Sequence, residues 1–198
     1  PLWKLHNTSF SGRMDFSEAK IKLPFIEQQF SQTKGWLNLN PKKIGISVLE
    51  SSFADFPVHG QINLIDYDTP KKVNFDARFT SAITEGRLGK WFSPLLGADG
   101  EFLGTAPFWL DIKRGADDTD FNIKAQLVAD SLNIHGTMGW QKPEGEKGDI
   151  NFAGNIDLNG QLLLSTLKAN LGNLGFNGDG RWDMASNQGE LHLTSFHL

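Results

Sequence analysis

The residues of this sequence that could support catalysis or metal binding include one serine motif and a pair of histidines. Ser47 lies in the stretch GISVL. This stretch departs at its last position from the G-x-S-x-G motif, and it lies inside a strand pattern rather than at the strand-to-helix turn that exposes a nucleophile. His192 and His197 are five residues apart, which on a strand sends their side chains to opposite faces. The spacing indicates neither a serine hydrolase nor a histidine metal site.

Acidic residues are the second group of candidates. Asp117, Asp118 and Asp120 are clustered, but they lack the D-x-D-x-D-G order and the distant Glu of a calcium loop. A glycoside hydrolase needs two carboxyl groups on inward strand positions. The acids within strand patterns are instead out of phase with the apolar positions; they are Asp76, Asp111 and Asp157. Since the chain also has no cysteine, we predict a protein that is not an enzyme and needs no metal and no cofactor.

Composition narrows the function classes further. The chain has 198 residues, 39% of them hydrophobic, and a formal net charge of −4. Lysine and arginine are not concentrated in any short window, and the pairs Lys42-Lys43 and Lys71-Lys72 stand apart. We therefore predict no nucleic-acid partner. The longest apolar stretches are only a few residues, far short of the roughly 20 that a membrane-spanning helix needs.

The elements that must position these side chains are strands, because apolar residues alternate with polar ones along most of the chain. In DFNIKAQLVADSLNIHGTMGW, residues 120–140, apolar side chains fall on every second position from Phe121 to Ala129, with Asn122, Lys124 and Gln126 between them. Turn clusters such as DYDTPKK and QKPEGEKGD separate such runs at intervals of roughly ten residues. This pattern predicts an all-β fold of about a dozen antiparallel strands.

Two stretches interrupt the alternation. Residues 17–30 are compatible with a short helix after Pro24, and residues 85–100 with a short amphipathic helix or a packed loop. The alternation also continues through the last residues, GELHLTSFHL, and the chain begins at Pro1 without a methionine. We therefore expect a segment excised from a longer protein.

The order of these strands resembles the AsmA-like periplasmic proteins of Gram-negative bacteria, nearest to the YhdP and TamB type. The resemblance is carried by SPLLGADGEFLGTAPFWLDIKRG, DFNIKAQLVADSLNIHGTMGW and GDINFAGNIDLNGQLLLSTLKANL. It is best over residues 73–198 and weaker over residues 1–72, and we expect one β-groove segment over residues 1–198. The family has no catalytic signature that could be matched residue by residue.

The resemblance implies a large antiparallel, strongly curved open sheet, a β-groove with one or two short helices. It also implies transport of phospholipid between the inner and outer membranes, with acyl chains on the apolar concave face, and so a contribution to outer-membrane lipid homeostasis. The parent protein would be periplasmic, anchored in the inner membrane, with membrane proteins as partners at either end. The expected groove lining is Val73, Phe75, Phe79, Phe108, Leu110, Ile112, Phe121, Ile123, Leu127, Ile134, Ile150, Phe152, Ile156, Leu158, Leu162 and Leu164.

A closed β-sandwich is the alternative that the same alternation allows. In a sandwich the apolar face meets a second sheet, and the protein would act as a binding or adhesion module. The six tryptophans are suited to stacking on sugars, so carbohydrate is the ligand that this alternative predicts.

Overall fold

The strands of this protein are seen in a computed structural model that describes residues 11–23, 29–53, 56–67, 73–84, 101–136, 139–183, 186 and 188–197. Within these ranges there is no α-helix, and the fold is all-β as predicted. The strands are β1 (Gly12–Lys22), β2 (Gln29–Asn40), β3 (Lys43–Phe53), β4 (Phe56–Ile65), β5 (Asn74–Thr84), β6 (Glu101–Leu103), β7 (Thr105–Arg114), β8 (Phe121–Val128), β9 (Asn133–His135), β10 (Gln141–Lys142), β11 (Gly148–Ile156), β12 (Gln161–Leu171), β13 (Leu174–Asp183) and β14 (Gln188–His197).

Eleven of these strands form one antiparallel sheet in the order β1-β2-β3-β4-β5-β7-β8-β11-β12-β13-β14. Neighbouring strands in this order pair antiparallel. Most of these pairs are joined by short connections, whereas residues 85–104 separate β5 from β7 and residues 129–147 separate β8 from β11. The sheet remains open, with β1 and β14 as its edges. The prediction of a large open antiparallel sheet is confirmed, and the described residues do not form the two packed sheets of a sandwich.

The period-2 pattern decides which face of each strand is buried. In β8, Phe121, Ile123, Ala125 and Leu127 are buried, and the residues between them are exposed. The strand register places the buried residues of neighbouring strands side by side on the same face, since Ile123 lies opposite Ile112 of β7. We call the buried, apolar side of the eleven-stranded sheet the concave face and the other side the convex face.

The first strands bend sharply at matching positions. Their registers shift between Phe16 and Ala19, between Ser31 and Lys34, and between Val48 and Ser51. Glu18 and Gln32 have φ values of 57° and 53° at these irregularities. Bulges bend a strand and increase its twist, so three bulges in neighbouring pairs fold this part of the sheet over its own concave face.

The distance between two phenylalanine rings shows how strongly the sheet curls. Phe30 of β2 stacks on Phe79 of β5 with 4.9 Å between ring centroids. Two strands separate β2 from β5 in the sheet, so the rings would be roughly 14 Å apart if the sheet were flat. The strong curvature that was predicted is therefore present.

A second sheet, in the order β10-β9-β6, lies at one end of the concave face. β6 is continuous with β7 through Gly104, whose φ is 110°. β9 and β10 lie in sequence between β8 and β11. Phe102, Leu132 and Ile134 of this region join the same buried cluster as the main sheet, so the small sheet covers the core where β7 begins and β8 ends.

The short helix expected after Pro24 falls on residues 24–28, which lie outside the described residues. On either side of them the chain is strand, since residues 17–22 belong to β1 and Gln29 and Phe30 belong to β2. The helix or packed loop expected at residues 85–100 also lies outside the described residues. No described helix is long and apolar enough to span a membrane.

Gly60 is expected to be essential for the curl of the sheet. A Cβ atom there would overlap the carbonyl oxygen of Arg78 and the ring of Phe79, the residue on which Phe30 stacks. Gly60→Ala should lower the free energy of unfolding by about 1–3 kcal/mol through overpacking, as measured by urea denaturation.

Gly45→Ala is the matched control. The nearest atom to a Cβ at Gly45 is Oδ1 of Asn63 at 3.5 Å, an ordinary contact. Its effect should be neutral or stabilising by up to about 1 kcal/mol, because alanine restricts the unfolded chain. Equal destabilisation by the two variants would contradict a specific role for Gly60.

Candidate functional site

The concave face is not completely filled by its own side chains. A central cavity of about 330 Å³ lies over the middle of the sheet, at the lower end of the range for small-molecule sites. Among its described lining residues only Thr80 and Ser81 have polar side chains. The described lining is Leu23, Phe30, Phe53, Phe56, Val58, Phe79, Thr80, Ser81, Ile83, Phe108, Leu110, Ile112, Ile123, Phe152, Ile156 and Leu162.

The lining of the central cavity shows why curvature matters. Leu23 follows β1, and Leu162 lies in β12. In a flat sheet β1 and β12 would be roughly 38 Å apart. Because the sheet curls, both side chains border the same space, and one continuous apolar surface runs from the first strands to β12.

A second cavity of about 320 Å³, which we call the end cavity, adjoins the central one. Leu23 lines both cavities. The end cavity lies towards the end of the sheet where β5 begins and β7 ends. Its described lining is Ile21, Lys22, Leu23, Ile46, Ile62, Leu64, Val73, Phe75, Arg114 and Phe121.

Arg114 is held against the wall of the end cavity by two contacts. Its guanidinium carbon lies 5.5 Å from the ring centroid of Phe121, within cation–π range. Its Nε donates a hydrogen bond of 2.9 Å to the carbonyl oxygen of Asp118. These contacts orient the guanidinium beside an otherwise apolar wall.

The opposite end of the concave face is closed by the small sheet and by a buried lysine. Lys142 of β10 is completely buried. Its Nζ donates to the carbonyl oxygens of Leu132 at 3.1 Å and Pro143 at 3.3 Å. Burial lowers the pKa of Lys142, and the charges of Asp130, Glu146 and Glu144 oppose that shift.

Eleven of the sixteen residues predicted to line the groove border a cavity. Val73, Phe75 and Phe121 border the end cavity. Those at the central cavity are Phe79, Phe108, Leu110, Ile112, Ile123, Phe152, Ile156 and Leu162.

Five predicted lining residues are placed elsewhere. Leu127 and Ile150 are buried side by side on the concave face, in the closed core near the small sheet. Leu164 is half-buried on the same face, opposite Gly154 and Gly180. Ile134 belongs to β9 of the small sheet and is buried in the core. Leu158 lies in the turn after β11, where it is 53% exposed.

Several cavity residues were missed by the sequence reasoning. The first strands contribute Leu23, Phe30, Phe53 and Phe56 to the central cavity. Their apolar character is visible in the sequence. Their contact with distant strands depends on three bulges, and no sequence motif indicates where these bulges lie. Lys22 and Arg114 were also missed, because a single lysine and a single arginine carry no spacing signal.

Two of the acidic residues considered in the sequence, Asp111 and Asp157, accept hydrogen bonds from neighbouring residues. On the convex face, Arg78 Nε donates to Asp111 Oδ1 at 2.8 Å, and this pair raises the pKa of Arg78. Hydrogen bonds from the backbone N–H of Gln161 and from Asn159 lower the pKa of Asp157 in the turn after β11. Over the described ranges, no three histidine, aspartate or glutamate side chains converge on a possible metal position.

The buried Lys142 predicts an alkaline rise in stability. Its pKa in the folded protein lies below the 10.5 of an unperturbed lysine. As the pH rises, the folded state releases this proton before the unfolded state does, so the free energy of unfolding increases up to the unfolded pKa. Relative to Lys142→Met, the wild-type protein should therefore become more stable between neutral pH and about pH 10, as measured by urea unfolding.

Lys147→Met is the control, because Lys147 is exposed and lies only five residues away. As the pH rises, the wild-type protein should gain more stability relative to Lys142→Met than it gains relative to Lys147→Met. A wild-type protein that loses stability relative to Lys142→Met over this interval would show that the protonated amine is the form that the fold prefers.

A comparison with protein-family models finds no match, and neither does a comparison with curated proteins or with solved structures. The resemblance to the AsmA-like proteins accordingly remains a prediction from the strand pattern.

Proposed function

We propose that this chain binds the acyl chains of phospholipids on its concave face and forms part of a groove that conducts lipid between the inner and outer membranes. The observation that carries the proposal is the unfilled central cavity, whose described lining is apolar from β2 to β12 apart from Thr80 and Ser81. Periplasmic location and inner-membrane anchoring of a longer parent protein belong to the same proposal.

The energetics favour an acyl chain over a polar ligand. Each methylene withdrawn from water contributes about 0.8 kcal/mol, so a chain of about 16 carbons leaves a membrane only if an apolar surface receives it. The concave face offers such a surface in the rings of Phe30, Phe79 and Phe108 and in the aliphatic side chains beside them. A polar ligand would meet almost no hydrogen-bonding partner in the central cavity.

The same lining suits movement of the ligand. A site that fixes one ligand uses a few well-placed polar groups to orient it. The central cavity instead has side chains of one chemical type at successive strands, so a chain shifted along it exchanges equivalent contacts. This uniformity supports conduction rather than storage at a single position.

Leu162 and Leu163 of β12 provide a direct test. Leu162 lines the central cavity, whereas its neighbour Leu163 points to the convex face and is 52% exposed. Leu162→Asn should weaken phospholipid binding on the order of tenfold by placing an amide against the acyl chain, and Leu163→Asn should leave it unchanged. Native mass spectrometry of protein purified from a bacterial host, with phospholipid then added back, measures the bound fraction.

Leu162 and Leu163 are better test positions than the buried Ile123, which is only 8% exposed. A charged residue in place of Ile123 would unfold the core, so lipid binding could not be measured. Added phospholipid should also raise the unfolding temperature of the wild-type protein by mass action. A wild-type protein that carries no lipid and takes up none, or equal losses in both leucine variants, would refute the concave-face site.

A further inference from the structure

Two open depressions adjoin each other on the convex face. The smaller, of about 220 Å³, lies over β4 and β5, and its lining includes Gln61, Asn63, Asp76 and Arg78. The larger, of about 420 Å³, lies over β7, β8, β11 and β12. β5 and β7 are neighbours in the sheet, and the hydrogen bond from Arg78 to Asp111 joins the borders of the two depressions. We call the two depressions together the convex site.

The larger depression has an exposed tryptophan at its border. Trp109 is 39% exposed, although β7 is the middle strand of the eleven-stranded sheet. Two other tryptophans are engaged, since the guanidinium carbon of Arg13 lies 4.6 Å from the ring centroid of Trp36, and Nε1 of Trp140 donates to Asn173. In the part of the chain that the structure describes, Trp109 has neither a covering cation nor an acceptor for its Nε1. Its flat aromatic surface is free for a ligand.

Polar side chains surround this indole. Gln126 lies directly opposite Trp109 in the strand register. Lys124 and Thr166 line the same depression on either side of Ala153, whose short side chain leaves the floor low. Among the described residues, the side chains of Lys124, Gln126 and Thr166 have no hydrogen-bond or ion-pair partner. The larger depression therefore offers both donors and acceptors beside an aromatic ring.

The smaller depression adds an acceptor that lacks a donor. Oδ1 of Asp76 is buried and has no hydrogen-bond partner within the described chain. Such atoms are rare in folded proteins, because the oxygen has lost its hydration without gaining a replacement. Rotation about χ2 exchanges the two oxygens of a carboxylate, so Asp76 can turn this oxygen towards the depression that it lines. A hydroxyl group of a ligand would supply the missing donor.

We propose that the convex site binds a neutral oligosaccharide, with one pyranose ring stacked on Trp109. The charges of the described lining balance, since Asp76 and Asp111 are matched by Arg78 and Lys124, so charge favours neither an anionic nor a cationic ligand. Sugar hydroxyls both donate and accept hydrogen bonds, which suits a lining of carboxylate, amide, ammonium and hydroxyl groups. A pyranose with equatorial hydroxyls presents a flat C–H face to the indole. The convex site lies on the opposite face of the sheet from the proposed acyl-chain site, so the two are independent.

Isothermal titration calorimetry with cellotetraose and chitotetraose tests this proposal. Both are neutral chains of β-1,4-linked pyranoses with equatorial substituents, and the wild-type protein should bind at least one of them. Trp109→Ala should lower that affinity on the order of tenfold by removing the stacking surface, and Trp109→Phe should retain part of it. Gln126→Ala should lower the affinity by a smaller factor, because it removes hydrogen bonds and leaves the ring in place.

Trp36→Ala is the matched control. The register places Trp36 on the convex face, in one row with Gln61 and Arg78, but Trp36 borders neither depression. This variant should bind the saccharide as the wild-type protein does, and far-UV circular dichroism checks the folding of each variant. Trp109→Ala should leave phospholipid binding unchanged, and Leu162→Asn should leave saccharide binding unchanged.

The outcomes separate the saccharide site from general surface effects. Failure of both tetrasaccharides to bind at millimolar concentration would overturn the proposal, as would equal losses in Trp109→Ala and Trp36→Ala. Equally tight binding of sorbitol would also overturn it, because this polyol has no ring to stack on an indole. A proline-rich peptide that binds at Trp109 when neither tetrasaccharide does would assign the convex site to a protein ligand instead. None of these results bears on acyl-chain binding at the concave face.

Discussion

A wide sheet with one apolar face has to withdraw that face from water, and the rest of this structure depends on how it does so. In a sandwich a second large sheet provides the cover. Here the eleven-stranded sheet covers itself, because bulges in β1 to β4 bend its first strands until Phe30 contacts Phe79. Self-covering by curvature buries the middle of the face but does not fill it to the density of two interlocking layers, and the central and end cavities are part of the volume that remains.

The two ends of the concave face meet this constraint differently. At one end β6, β9 and β10 add a small sheet, and Ile134 of β9 and Leu132 just before it complete the core. The interior there is closed so fully that the amine of Lys142 finds backbone carbonyl oxygens instead of water. At the other end no such sheet is present among the described strands, and Arg114 lies against Phe121 at the border of the apolar space. The two ends of the concave face therefore differ, because one is closed by a small sheet and the other is not covered by any described strand.

The sequence predicted the features that depend on local alternation. Phe121, Ile123 and Leu127 fall in phase, so their shared face and the antiparallel pairing of β8 follow from the period of two. Features that depend on breaks in the alternation were not predictable. Glu18 and Gln32 adopt positive φ without being glycine or asparagine, so no residue type marks the bulges of β1 and β2. Leu158 was assigned to the face by its phase, but the strand ends two residues before it.

The two faces of the sheet differ in how they carry charge. Convex charges such as Arg78 and Asp111 pair with each other, and the described lining of the central cavity carries no charge. Arg114 is an exception on the concave face, where its guanidinium lies over the ring of Phe121 and its Nε donates to the carbonyl oxygen of Asp118. The residues that keep the sheet hydrated and the residues that bury its apolar side therefore alternate along each strand, so a substitution on the convex face can change the surface charge without changing the lining of the cavities.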